Sequence, residues 1–329
     1  IKIFIANGTH RPCTKSELIN MLGENIFDAK YNIINHNAFN EKELTLVGNT
    51  RSQIPVFINS EWLRCDYKIT IGLVEPHFFA GFSGGPKMIA PGLAGFKTIM
   101  QLHNSNMIES PNAVWGITEG NPIHDSIREI AKMSPSDFSI DVTVNKNNDI
   151  TSVHSGEMFS AHKDAATFAY KAAMREVNEK FDIVITTNSG YPLDMNLYQT
   201  IKGISAASQI VKSNGSIICA SECSDGFPEH GEYKKILESK NSPDELLTLI
   251  KDPNYEHQDQ WQVQIQAQIM SLCSIYLKSD QMTHHEIKKA HLTPIDDIES
   301  KVKELIAINP ESSICVLPEG PQTIPIIIK

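Results

Sequence analysis

The chain alternates short apolar runs with amphipathic stretches. The run Ile1 to Ala6 predicts a strand closed by an Asn7-Gly8 turn. Residues 15–22 carry a helical pattern with Thr14 placed as its N-cap. Short strands are expected at 32–35, 43–49 and 56–59, with a helical turn near 61–64. The run 68–73 reads as a buried strand that delivers Glu75, Pro76 and His77 to its C-terminal end. A helix is expected to start near Gly95 and carry His103, and another spans His124 to Met133 after a Gly-Asn-Pro turn. Residues 161–181 read as one long helical stretch, with 176–180 inside it as the hinge.

Beyond that hinge the alternation sharpens. A strand at 183–187 ends in the Asn188-Ser189-Gly190 turn, and a helix follows at 197–212. A strand at 216–220 leads to a Cys-Ser-Asp-Gly loop, then helices at 229–238, 243–250 and 262–270. A strand at 272–276, an amphipathic helix at 297–308 and a strand at 313–316 complete the pattern. Strand–helix alternation of this kind argues for an α/β protein of two domains, the second Rossmann-like with a mostly parallel sheet. The expected division is 1–181 for the first domain and 182–312 for the second, with 313–329 returning to the first.

Composition narrows the class. The length of 329 residues suits about two domains, and 41% hydrophobic with 21% charged residues is an ordinary globular balance. A net charge of −10 argues against non-specific nucleic-acid binding. No apolar run approaches the ~20 residues that span a bilayer, so no membrane partner is expected. The six cysteines at 13, 65, 219, 223, 273 and 315 form no CxxC pair and read as reduced thiols, which points to a cytoplasmic location. The first residue is not Met and lies inside a strand, so a further N-terminal part of the first domain is expected upstream.

The densest chemistry lies in the loop from His77 to Lys87, with glycines at 81, 84 and 85, followed by Pro91-Gly92 and by His103. Glycines let backbone N–H groups approach an anion closely. A lysine in such a loop pairs with phosphate, or acts as a nucleophile once its amine is desolvated. The loop is not a Walker sequence, which needs Gly-Lys-Ser/Thr. Gln199 and Lys202 are three residues apart and so share one helix face.

Taken together with Gly8-Thr9-His10-Arg11-Pro12, Gly120-Asn121-Pro122-Ile123-His124, Gly190-Tyr191-Pro192-Leu193-Asp194, Tyr198-Gln199-Thr200-Ile201-Lys202 and Leu317-Pro318-Glu319-Gly320-Pro321, the loop resembles the nickel-pincer lactate racemases. The resemblance runs the length of the chain. It implies an isomerase that racemises or epimerises a 2-hydroxy acid, with His10 and His77 as the catalytic pair. Two histidines suit such a reaction, because each face of the substrate needs its own proton acceptor near neutral pH. It implies nickel held by His103. It also implies a pyridinium-3-thioamide-5-thiocarboxylic acid mononucleotide on Lys87, bounded by Phe79, Gly84, Gly85 and Tyr198 and installed by maturation proteins. Gln199, Lys202 and Trp261 would bind substrate. Two other readings stand beside this one: a zinc hydrolase built on His10, His77 and His103, and a non-catalytic mononucleotide-binding protein.

Overall fold

The computed structural model describes residues 1–29 and 31–328. The chain divides into two compact units, Ile1–Tyr170 and Lys171–Lys329.

In the first unit Lys2–Ile5 pairs in parallel with Asn32–Asn35, and Leu44–Asn49 pairs antiparallel with Pro55–Asn59. Helix Lys15–Leu22 starts as its sequence predicts, with a capping box between Thr14 and Glu17. Two strands that hydrophobic patterning did not reveal, Phe138–Val144 and Ile150–Gly156, join Ile69–Leu73 in a three-stranded sheet. This sheet buries its polar row. Thr70, Ser139, Asp141 and Thr143 are buried, whereas Ile69, Ile71 and Leu73 of the neighbouring row are exposed. Helix Met158–Ala173 places Ala165, Ala166 and Ala169 against Val74 and Phe82.

The stretch expected to be helical through 181 breaks earlier. Residues Met174–Val177 form a strand in parallel register with Ile324–Ile327. The Arg175 guanidinium turns back onto the carbonyls of Lys171 and Ala172 at 3.1 and 2.7 Å and closes the helix end. Helix Leu197–Ser208 likewise stops short of 212, because the next strand begins at Val211 and runs to Ala220.

The second unit is built on a five-stranded parallel sheet in the order Thr293–Pro294, Ser274–Lys278, Val211–Ala220, Phe181–Thr187, Ile314–Leu317. The chain winds outward from Phe181–Thr187 in one direction and then places its last strand on the other side. That reversal is the topological switch point of a Rossmann-like sheet. Helix Ile298–Ile308 covers one face through Ile298, Val302, Leu305 and Ile306, packed on Ile183, Ile218 and Ile295. Residues 313–329 were expected to return to the first domain. Instead Ile314–Leu317 is the edge strand here, and Ile324–Ile327 pairs with Met174–Val177 of the same unit. The partner backbone edges lie in this unit, and edge pairing leaves no trace in local sequence.

Candidate functional site

The glycine loop begins as a small hairpin that pairs Pro76 with Phe82 and His77 with Gly81. Gly81 has φ +80°, and a Cβ there would lie 2.1 Å from the Ile117 carbonyl oxygen. The chain then turns through Gly84 and Gly85 into a short 3-10 helix, Gly85–Met88, that carries Lys87. The Lys87 N–H donates to Gly84 O at 3.0 Å, and its carbonyl accepts from Gly92 N at 3.1 Å. The buried polar row of the neighbouring sheet now has a purpose. Thr70 Oγ1 donates to Ser139 Oγ at 3.0 Å, Ser139 Oγ donates to Asp141 Oδ2 at 3.3 Å, and Asp141 Oδ1 accepts from Gly85 N at 2.9 Å. Burial pushes the Asp141 carboxyl up, and these two hydrogen bonds oppose the shift.

Imidazoles gather around this loop. His77 and His103 each meet the Phe79 ring edge to face, at centroid distances of 4.5 and 5.2 Å. The Ala80 N–H donates to His77 Nδ1 at 3.2 Å. His103 is only 6% exposed, at the C-cap of helix Phe96–Leu102. Its Nδ1 lies 2.7 Å from Ile99 O. A carbonyl can only accept, so Nδ1 carries the proton and Nε2 keeps its lone pair. Burial pushes the His103 pKa down to about 4, the Ile99 carbonyl opposes this, and the charges of Lys87 and His10 add to it. His10 closes the turn after the first strand, its N–H donating to Asn7 O at 2.9 Å. That turn docks on Pro91-Gly92 through Gly8 N donating to Gly92 O at 3.0 Å. His10, His77, Phe79, Gly84, Gly85, Lys87 and His103 therefore share one region of the first unit. A zinc site on the three histidines does not form: among the described residues no group of three or more His, Cys, Asp or Glu side chains could hold a metal ion.

Sequence reasoning missed a further set here. Asn121 and His124 enter the sequence analysis only as part of the Gly120–His124 motif, without a role, and Asp141 and His162 do not enter it. The Gly-Asn-Pro signal marked Asn121 only as part of a turn, and it is the N-cap of helix Pro122–Met133.

In the second unit Tyr198, Gln199 and Lys202 fall in the first two turns of helix Leu197–Ser208, which Asn196 caps by accepting from Gln199 N at 3.1 Å. The helix follows the strand at the switch point, where open α/β sheets bind ligands. Asn188, just past the end of that strand, accepts from Gly203 N at 2.9 Å. Trp261, without a sharp motif around it in the sequence, is 4% exposed and donates its indole N–H to the Tyr198 hydroxyl at 3.1 Å. Burial, with the Asp259 carboxylate adding to it, holds the Tyr198 phenol well above its ordinary range.

Fold and side chains together describe a two-unit α/β protein whose first unit gathers imidazoles around a glycine loop. Two family models match: the lactate racemase N-terminal domain over residues 1–116 and the lactate racemase C-terminal domain over 177–327. The chain is 36% identical over 324 residues to a lactate racemase from Thermoanaerobacterium thermosaccharolyticum, an alignment covering 97% of this chain and 75% of that protein. It is 32% identical to one from Lactiplantibacillus plantarum, covering 97% of this chain and 76% of that protein. In structure it is similar to the T. thermosaccharolyticum lactate racemase apoprotein, with a TM-score of 0.94 at 32% identity over 100% of this chain and 78% of that one. A Thermotoga maritima protein at 17% identity shares the fold, with a TM-score of 0.73. The chain belongs to the lactate racemase family and is an isomerase, a racemase. No helix among the described residues is long and apolar enough to cross a membrane.

Proposed function

We propose that this racemase acts on a 2-hydroxy acid, lactate or a close analogue, with His10 and His77 as its two proton-handling groups and a nickel-pincer nucleotide on Lys87. One observation carries the reading. His103 is buried and neutral, its Nδ1–H donates to the Ile99 carbonyl, and it feels the charges of both Lys87 and His10.

The residues fit the group. A neutral imidazole nitrogen is a sound nickel ligand, and a carbonyl on the far nitrogen fixes its tautomer. Lys87 sits in the short helix that follows the Gly84-Gly85 turn, with Phe79 in the same loop, and a cation there suits a phosphate-bearing ligand. Tyr198 is assigned to the same ligand by the family pattern. When bound, the group supplies a hydride acceptor that the twenty side chains lack.

The rest falls to the protein. One of His10 and His77 would take the hydroxyl proton as C2 gives up its hydride, and the other would return a proton to the oxygen once the planar keto acid has turned over and C2 has regained the hydride on its other face. Gln199 and Lys202 hold substrate oxygens, an amide and a cation being suited to a carboxylate. Trp261 fixes the Tyr198 hydroxyl through its indole N–H and shields the substrate from water.

Single-turnover reaction of the matured protein with each pure lactate enantiomer tests this. His10→Ala and His77→Ala should each lose steady-state racemisation, because general-base removal costs ~10²–10⁴-fold. Each should retain the half-reaction of one enantiomer, and the two should retain opposite ones. The same preference in both variants refutes the two-base assignment.

A further inference from the structure

Four buried side chains outside the assigned site hold the glycine loop through one backbone group each. Asn121 Nδ2 donates to Phe79 O at 2.9 Å, and His124 Nδ1 donates to Ala80 O at 2.9 Å. His162 Nε2 donates to Ser83 O at 2.8 Å, and Asp141 Oδ1 accepts from Gly85 N at 2.9 Å. Asn121, His124 and Asp141 are 0% exposed and His162 is 4% exposed. They come from the start of helix Pro122–Met133, from strand Phe138–Val144 and from helix Met158–Ala173. Between them they grip the backbone from Phe79 to Gly85, with His77 just before the gripped segment and Lys87 just after it.

We propose that Asn121, His124, Asp141 and His162 are positioning residues that hold the Phe79–Gly85 backbone in the conformation that presents His77 and Lys87. The proposal rests on the reading of Lys87 as the attachment point only for what the grip serves. The grip itself stands on the hydrogen bonds.

Packing alone does not account for the two imidazoles. Their rings stack with centroids 5.4 Å apart and planes 20° from parallel. His124 Nε2 is buried and finds no hydrogen-bond partner. A residue retained for bulk would gain stability on replacement by a similar apolar side chain, because an unpaired buried polar atom costs free energy. The donor nitrogens differ, Nδ1 in His124 and Nε2 in His162, and each accepting carbonyl fixes that choice. Burial keeps both rings neutral, with pKa values pushed down to about 3 for His124 and about 4 for His162, so each holds one donor and one lone pair. The Gly85 backbone lies against the His162 ring so closely that a Cβ there would stand 2.5 Å from it. The ring thus sets the position of the loop as well as bonding to it.

The choice of nitrogen supplies the experiment. An asparagine amide nitrogen replaces Nδ1 of histidine and a glutamine amide nitrogen replaces Nε2. His124→Asn and His162→Gln therefore keep the donors, whereas His124→Gln and His162→Asn misplace them, and the Leu variants remove them. Amide hydrogen exchange of the 78–88 peptide, read by mass spectrometry on the cofactor-free chain, should speed about tenfold or more in the misplaced and Leu variants. It should stay near the parent in the matched variants, with exchange in 211–220 unchanged throughout. Equal exchange in matched and misplaced variants overturns the proposal, and that comparison decides the matter even if the Leu variants fail to fold. The yield of the Lys87 adduct in matured protein is the second readout. Faster loop exchange with an unchanged adduct yield shows a grip that does not serve Lys87, and this too overturns the positioning role. A parent chain that forms no adduct refutes the reading of Lys87, while the exchange result still judges the hydrogen bonds.

Discussion

Gly85→Ala probes the loop at its tightest point. Gly85 has φ +47°, and an added Cβ would stand 2.5 Å from the His162 ring atoms Cγ and Cδ2. The ring cannot yield cheaply, because it is buried and its Nε2 holds Ser83 O at 2.8 Å. A left-handed conformation costs a non-glycine residue roughly 1–2 kcal/mol. Overpacking a filled interior adds about 1–3 kcal/mol. The expected loss is therefore about 2–5 kcal/mol, before any weakening of the Gly85 N–H to Asp141 bond is counted. At about 2–4 °C per kcal/mol for a unit of this size, the thermal midpoint of the first unit should fall by roughly 5–15 °C. Gly23→Ala, at φ 80° and ψ 150°, is a control in the same unit whose backbone cost is at least that of Gly85. It has nothing within 4 Å of the added Cβ, so it meets only the backbone cost. Scanning calorimetry of the two variants sets a lower bound on the steric contribution. Equal midpoints would show that the His162 contact does not constrain the loop, and would refute the reasoning.

Other outcomes follow from the same geometry. Lys87→Ala should abolish the covalent adduct in matured protein while the unfolding temperature stays near the parent's, and an unchanged adduct by intact mass would remove Lys87 from the assignment. His103→Ala should lower nickel retention after desalting more than it lowers stability, and equal occupancy by metal analysis would count against His103 as the ligand. His124 and His162 titrate in the fold at about 3 and about 4, below the ~6.5 of an unfolded histidine. The unfolded chain binds more protons in that range, so stability is full above about pH 6.5 and falls as the pH drops toward 4. Chemical denaturation of the parent and of the His124→Asn/His162→Gln double variant checks this, because the double variant should lose less stability over that window.

Much of the local structure is written in the sequence. Thr14 with Glu17 encodes a helix start that the capping box realises. The run at 68–73 appears as strand Ile69–Leu73, although it is not the buried strand expected, since Ile69, Ile71 and Leu73 are exposed, and Asn121-Pro122 opens a helix because the amide caps it and proline suits its first turn. These signals need only near neighbours. The His77–Lys87 loop was legible for the same reason, since its glycines, lysine and histidine are contiguous.

Tertiary structure decided what depends on partners far along the chain. Met174–Val177 looks helical in isolation and becomes a strand because Ile324–Ile327 lies beside it. Residues 313–329 were expected to return to the first domain, and Ile314–Leu317 pairs instead with Ile183–Thr186, because strand order is set by which backbone edge is open. The row Thr70, Ser139, Asp141 is polar yet buried, and Asp141 accepts from the Gly85 N–H inside the fold, a pairing that only the tertiary structure reveals. The loop-holding roles of His124 and His162 were not legible for the same reason, although His124 lies in the Gly120–His124 motif. A lone histidine on a helix becomes informative only when its ring nitrogen meets a particular carbonyl, and periodicity records which residues share a face but not which buried polar group they must satisfy.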